Sequence, residues 1–172
     1  MNPELLPYWR VYAPVQQPFP VSSRERKPVK APTVIGWREW IALPELGVER
    51  IKAKIDTGAA TSALHVSNIR SEPRDAGTWL TFEVHPIQRR EVPSVAAGGW
   101  LVDERPVRNT SGKSDIRPVI ETTIKLGTEE YRAEITLTRR DEMGFRMLLG
   151  RRALRRRFVV DSGRSFIYDL ET

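Results

Sequence analysis

The chain has 172 residues, 40% of them hydrophobic, which suits one domain with a real core, or one domain with a tail. It contains no cysteine, which excludes a disulfide framework, thiol catalysis and a zinc ribbon together. The formal net charge is +6, and residues 139–157, with arginines at 139, 140, 146, 151, 152, 155, 156 and 157 against Asp141 and Glu142, account for all of it. Such a patch favours acidic partners, or else is a solvated helix face with structural ion pairs.

Residues 1–33 carry prolines at 3, 7, 14, 18, 20, 28 and 32, few aliphatics and a basic cluster from Arg24 to Lys30. A segment that buries so little apolar surface reads as a disordered tail, although Tyr8, Trp9, Tyr12 and Phe19 leave docking open. The early prolines also interrupt any signal-peptide apolar region, and no run of about 18 apolar residues exists. The expectation is a soluble cytoplasmic protein with no membrane partner.

Short strands and turns follow, forming a second segment, 34–172. Val34–Leu43 and Glu49–Ile55 are predicted strands flanking the turn Pro44-Glu45-Leu46-Gly47. Trp79–Val84 alternates as a strand should. Residues 85–100, with Pro86, Pro93 and Ala96-Ala97-Gly98-Gly99, read as a loop or insertion. Val119–Leu126 and Tyr131–Thr138 read as a β-branched hairpin around Gly127-Thr128-Glu129. Arg151–Arg157 is the predicted helix, and Phe158–Val160 and Ser165–Tyr168 are closing strands around Asp161-Ser162-Gly163. The fold class is all-β, a small barrel with one short helix.

Chemistry concentrates at Asp56-Thr57-Gly58, at the end of the alternating run Arg50-Ile51-Lys52-Ala53-Lys54-Ile55. Glycine lets its amide approach a carboxylate with no Cβ in the way, and Thr57 offers a further hydrogen bond. The small residues Ala59-Ala60-Thr61-Ser62-Ala63 leave room for another chain. The tripeptide alone is also ordinary turn chemistry. A second segment, Met147-Leu148-Leu149-Gly150-Arg151-Arg152-Ala153-Leu154, joins large apolar residues to a glycine, an arginine and a short amphipathic stretch.

Together these two motifs resemble the retropepsin aspartic proteases. A closer resemblance is to the bacterial retropepsin-like group that carries the label "ATP-dependent zinc protease". Its pattern is echoed by Ile35-Gly36-Trp37-Arg38-Glu39-Trp40, Leu43-Pro44-Glu45-Leu46-Gly47, Lys52–Ala59, Thr61-Ser62-Ala63-Leu64-His65, Arg117-Pro118-Val119-Ile120 and Met143–Arg151, over roughly 34–168. The resemblance implies a retropepsin-like closed barrel and peptide-bond hydrolysis by two carboxylates that share one proton around a water. One acid motif per chain then implies a homodimer in which two copies of Asp56 meet. Asp161-Ser162-Gly163 is rejected as the second acid, because only eleven residues follow Asp161, and is read as a turn.

By the same resemblance, the Thr57 hydroxyl bonds across the dimer beneath the acids. Gly58, Ala59 and Ala60 receive the substrate as an added strand. Leu149, Gly150 and Arg151 belong to a strand threaded beside them and are expected to contact the substrate, with Gly150 packing closely. In retroviral relatives the matching arginine pairs with an acid where this chain has Ala60, so the partner of Arg151 is open. The flap is assigned to Val107–Val119, with Asn109, Ser111 and Gly112 at its tip; the rival is Ala97-Gly98-Gly99-Trp100. His65 is close enough to face the cleft, though a lone histidine is more often packed.

No cofactor and no metal are expected. The two histidines, His65 and His85, form no His-Glu-x-x-His helix, and no phosphate-binding Gly-x-x-x-x-Gly-Lys-Ser/Thr loop exists. The expected partner is a peptide or protein substrate, acidic if the arginine cluster flanks the cleft, and the resemblance adds a link to ATP-grasp ligases that append glutamates. Alternatives are a non-catalytic basic module binding nucleic acid or acidic protein, and an inactive dimerisation scaffold. Sparse aromatics argue against nucleic acid.

Overall fold

Strand formation follows the alternation of apolar and polar side chains, and the strands close on one another around a single apolar interior. The structure is a computed structural model and describes residues 31–108, 114–139 and 144–168. The chain divides into two units, Met1–Lys30 and Ala31–Thr172, and the described residues lie in the second. The N-terminal tail reading therefore falls outside the described residues up to residue 30.

The elements, in chain order, are β1 (Thr33–Gly36), β2 (Arg38–Leu43), a 3₁₀ turn (Pro44–Leu46), β3 (Val48–Asp56), β4 (Ser62–Arg74), β5 (Gly77–Val84) and β6 (Val95–Arg108). They continue with β7 (Ser114–Leu126), β8 (Glu129–Thr138), β9 (Met147–Gly150), α1 (Arg151–Leu154) and β10 (Phe158–Asp161). Among the described residues no helix is long and apolar enough to cross a membrane.

Eight strands form one sheet in the order β2-β3-β9-β4-β5-β6-β7-β8, and additional β2–β7 and β4–β8 pairings bend it into a ring. β1 and β10 pair in parallel as a separate ribbon. From Ile51 onward β3 alternates: Ile51, Ala53 and Ile55 point into the interior while Lys52 and Lys54 face out, as the period of two requires. Fully buried Leu64, Ile120, Ile124, Ile135, Leu137, Met147 and Leu149 fill the ring. The tight turn before β3 ends at Gly47, whose φ of 67° suits glycine, with its amide donating to the Pro44 carbonyl at 3.0 Å.

Three expectations change. Residues 95–100 are not loop: they open β6, paired with β5 from Val84↔Val95 to Trp79↔Trp100. Gly98 sits there because the Trp79 ring occupies the space a Cβ would need, 2.7 Å from its nearest atom. The helix stops at Leu154, because Arg155 is extended and Arg156 takes a positive φ of 65°. Ser165–Tyr168 is not a strand: Phe166 N donates to the Arg38 carbonyl, but the amides of Ile167 and Tyr168 turn to a side chain. Fully buried Glu39 accepts hydrogen bonds from Gly36 N (2.6 Å), Ile167 N (3.0 Å) and Tyr168 N (3.3 Å). A buried carboxylate held by several main-chain donors replaces a β-ladder and ties the C-terminal segment to β2.

Candidate active site

β3 delivers Asp56 to the rim of the ring, and β9 runs parallel beside it in the register Ala53↔Met147, Lys54↔Leu148, Ile55↔Leu149 and Asp56↔Gly150. β9 also pairs antiparallel with β4, through Ala63↔Leu148 and Leu64↔Met147. The strand thus threads between β3 and β4, the two strands joined by the 57–61 loop. Such threading demands a residue without a side chain at the crossing. A Cβ on Gly150 would strike the Thr61 carbonyl, whose carbon lies 2.5 Å away. The Gly150 amide donates to Ser62 Oγ at 3.2 Å, and the Thr136 hydroxyl donates to the Ser62 carbonyl at 2.8 Å.

The Asp56 carboxylate is half-buried and oriented by its own loop. Its Oδ1 accepts from Gly58 N at 3.0 Å and from Ala59 N at 3.1 Å. A Cβ on Gly58 would sit 3.2 Å from that oxygen, so glycine is the residue that fits against it. Two donors on one oxygen fix the carboxyl plane and leave its second oxygen for chemistry. Thr57, Gly58 and Ala60 are exposed and Ala59 is half-buried, which makes the loop apex accessible to a second chain.

Arg151 fastens the loop from outside. Its Nη1 donates to the carbonyls of Thr57 (2.9 Å) and Gly58 (2.6 Å), and its main-chain N–H donates to the Ala59 carbonyl at 2.9 Å. The Arg152 amide adds a bond to the Ala60 carbonyl at 3.2 Å. The partner left open by Ala60 is therefore main chain rather than a carboxylate, and a cation on two carbonyls needs no acid.

The structure brings together Asp56, Thr57, Gly58, Ala59, Ala60, Gly150 and Arg151. Leu149 is corrected from substrate contact to core: it is fully buried, with no surface for a ligand. Asn109, Ser111 and Gly112 lie outside the described residues. The strands on either side of them, β6 and β7, pair from Leu101↔Ile120 to Arg108↔Ser114, and the rival flap at 97–100 is instead strand, paired with β5. Asp161 ends β10 in a turn, with Gly163 N donating to its Oδ1 at 2.9 Å. His65 is buried in β4 with its ring 5.9 Å from that of His85.

The arginine cluster divides. Arg151, Arg152 and Arg155 line an open cavity of about 690 Å³ together with Thr57, Ala60, Leu154, Phe158 and Val160. Arg146 is buried and donates to the Arg90 carbonyl at 3.3 Å, and Arg157 lies 4.6 Å over the Tyr131 ring. Burial pushes the Tyr131 hydroxyl well above its ordinary value. Among the described residues, no group of three or more His, Cys, Asp or Glu side chains has the geometry to hold a metal ion.

A family model described as "Retropepsin-like aspartic endopeptidase RimB" matches residues 34–171. The chain belongs to the RimB-like family. It is also similar to proteins named "Probable alpha-L-glutamate ligase": 44% identical over 133 residues to one from Shewanella pealeana, and 47% over 128 residues to one from Parasynechococcus marenigrum. Those matches cover 77% and 74% of this chain but 29% and 28% of the relatives, so the chain spans less than a third of their length. The crystal structure of Lpg0085 from Legionella pneumophila, a protein of unknown function, superposes with a TM-score of 0.68 at 26% identity. It covers 80% of this RimB-like chain and 98% of its own.

Proposed function

We propose that this RimB-like chain is an aspartic endopeptidase whose active unit is a homodimer. The observation that carries the reading is the Asp56 carboxylate, held through one oxygen by the Gly58 and Ala59 amides on a loop braced by Arg151. One such carboxylate per chain is half of the pair that proton sharing requires, and the loop apex is exposed for a second copy to meet. Like charges that close do not both ionise, so one Asp56 stays protonated. The ionised carboxylate takes a proton from the water between them, while the protonated one polarises the scissile carbonyl. Water attacks the carbonyl carbon, and the tetrahedral intermediate expels the amine as it receives a proton. No covalent intermediate forms with the protein.

The substrate of this reading is an acidic, glutamate-rich protein tail. The Arg152 and Arg155 side chains are exposed on the cavity that Thr57 and Ala60 share, where they raise the local concentration of anionic peptide. Relatives named as glutamate ligases contain a segment homologous to this chain, which supports a partnership between adding and removing glutamate. The test is a cleavage screen of unbiased peptides, read by mass spectrometry for the native chain and for Asp56→Asn. Cleavage by the native chain alone is expected. Silence from both proteins across acid and neutral pH would overturn the reading.

A further inference from the structure

A second cluster of polar side chains lies on the β4–β5 part of the sheet. Ser67 Oγ is 2.8 Å from His85 Nε2, and His85 Nδ1 is 2.7 Å from the Glu91 carbonyl oxygen. A carbonyl only accepts, so Nδ1 carries the hydrogen and Nε2 presents its lone pair to the serine hydroxyl. The hydroxyl therefore donates to the imidazole. Nucleophile, base and a group orienting the base are aligned in one chain, the arrangement by which a serine is activated.

Local backbone geometry supports the same assignment. The β4–β5 register breaks between Ser67 and Arg70, a bulge that re-aims the side chains around it. Asn68, directly after the serine, takes a positive φ of 52°, an uncommon conformation for a residue other than glycine. Its side chain is held by Glu83 Oε1 at 3.0 Å. Ser67 and His85 open into a cavity of about 350 Å³, also lined by His65, Glu83 and Glu91. His85 itself is buried and Ser67 half-buried, which keeps the pair ordered and leaves the hydroxyl reachable.

We propose that Ser67 and His85 form a serine-type acyl-transfer site that takes small neutral acyl esters, separate from Asp56. Ser67 Oγ bonds to the ester carbonyl carbon as its proton passes to His85 Nε2. The imidazolium returns that proton to the departing alkoxide, leaving an acyl-serine. Water then attacks the acyl carbon, its proton goes to His85 and on to Oγ, and the carboxylic acid leaves. The titratable residues lining the cavity beside the pair are Glu83, Glu91 and His65, whose ring lies 5.9 Å from that of His85. The Glu83 carboxylate, held on Asn68 directly beside the serine, disfavours an anionic acyl group, so this site selects against the acidic peptides proposed for the other.

A fluorophosphonate probe tests the site, with the adduct located by peptide mass spectrometry in the full chain. Labelling at Ser67 is expected, lost in Ser67→Ala and reduced at least tenfold in His85→Ala, with thermal melting of each variant confirming its fold. No adduct at Ser67, or equal labelling with and without His85, would overturn the proposal. Because the chain has no cysteine, Ser67→Cys creates a single thiol and a gain-of-reactivity readout. Below pH 7 its alkylation by iodoacetamide should be roughly tenfold or more faster than in Ser67→Cys combined with His85→Ala, since the imidazole stabilises the thiolate. Equal rates in the two would contradict the pairing. The peptidase reading fails separately, because its attacking group is water and offers the probe no serine.

Discussion

Asp56 and Gly150 stand opposite each other in parallel register at the ends of β3 and β9, where the strand carrying the glycine passes beneath the loop carrying the acid. The fit is tight enough to decide the fate of any side chain at that crossing. Gly150→Ala would drive its Cβ into the Thr61 carbonyl. Main chain on both sides cannot yield as a flexible side chain would, so a loss of at least the ~1–3 kcal/mol typical of overpacking is expected. Thermal melting should show the loss, together with activity falling in the fraction that remains folded. An unchanged melting temperature would show that β9 does not thread as described.

Arg151 acts on the loop from the exposed side, so its removal should cost activity more than stability. Charge-assisted hydrogen bonds contribute about 1.5–3 kcal/mol, which corresponds to a drop of roughly 10- to 100-fold in kcat for Arg151→Ala if the loop's order is needed in the transition state. Arg151→Lys should recover little, because a point charge does not reproduce the planar guanidinium. Steady-state kinetics alongside melting separates the two effects.

Glu39 is expected to be the opposite case, a stability residue. Glu39→Ala would leave the buried amide of Gly36 and the half-buried amides of Ile167 and Tyr168 without their acceptor. Orphaned buried donors cost about 1–3 kcal/mol each, so a fall of several degrees or more in melting temperature should follow. Hydrogen exchange should locate the loosening at 164–168 and β1.

How far the sequence revealed this fold depended on which force shaped each segment. β3, β5 and the β7–β8 hairpin were legible because they alternate over one buried face. β4 was not: Ser62–Val66 is buried on both faces between β8 and β9, and Ser67–Arg74 turns polar, so no single period covers it. The glycines of 98–99 suggested a loop, yet they make room for Trp79 and Ile120; the nearby Trp79 and Trp100 were the available clue. Within the site, Asp56 and its cradle were legible from three letters and a strand. The bond of Arg151 to main-chain carbonyls, and the pairing of Ser67 with His85, depend on contacts between residues 18 to 94 apart.

Acid should weaken the fold partly through Glu45. Its carboxyl is held below the ordinary value first by the Thr123 hydroxyl, with burial opposing, and then by the Arg132 charge, the Thr123 amide and Thr122. A folded-state value lowered in this way stabilises the protein above the unfolded value near 4.5, and that contribution disappears as pH falls through the lowered folded value. The melting temperatures of the native chain and Glu45→Gln should therefore differ at pH 7 and converge in strong acid. A difference that persists unchanged at low pH would remove Glu45 from the acid response.

Metal chelation should leave peptide hydrolysis unchanged, whereas a statine-type inhibitor, whose hydroxyl stands in for the attacking water, should block it. Activity lost on chelation and restored by zinc would reverse the proposed mechanism.

The shared use of Asp56 by two copies is tested most directly by mixing. Native chain and Asp56→Asn would be unfolded together, refolded in varied ratios at fixed total concentration, and assayed on a glutamate-rich peptide. If each active unit needs both carboxylates, activity falls as the square of the native fraction, because a mixed dimer is inactive. Activity that falls in simple proportion to the native fraction would mean that one chain suffices, and would contradict the half-site.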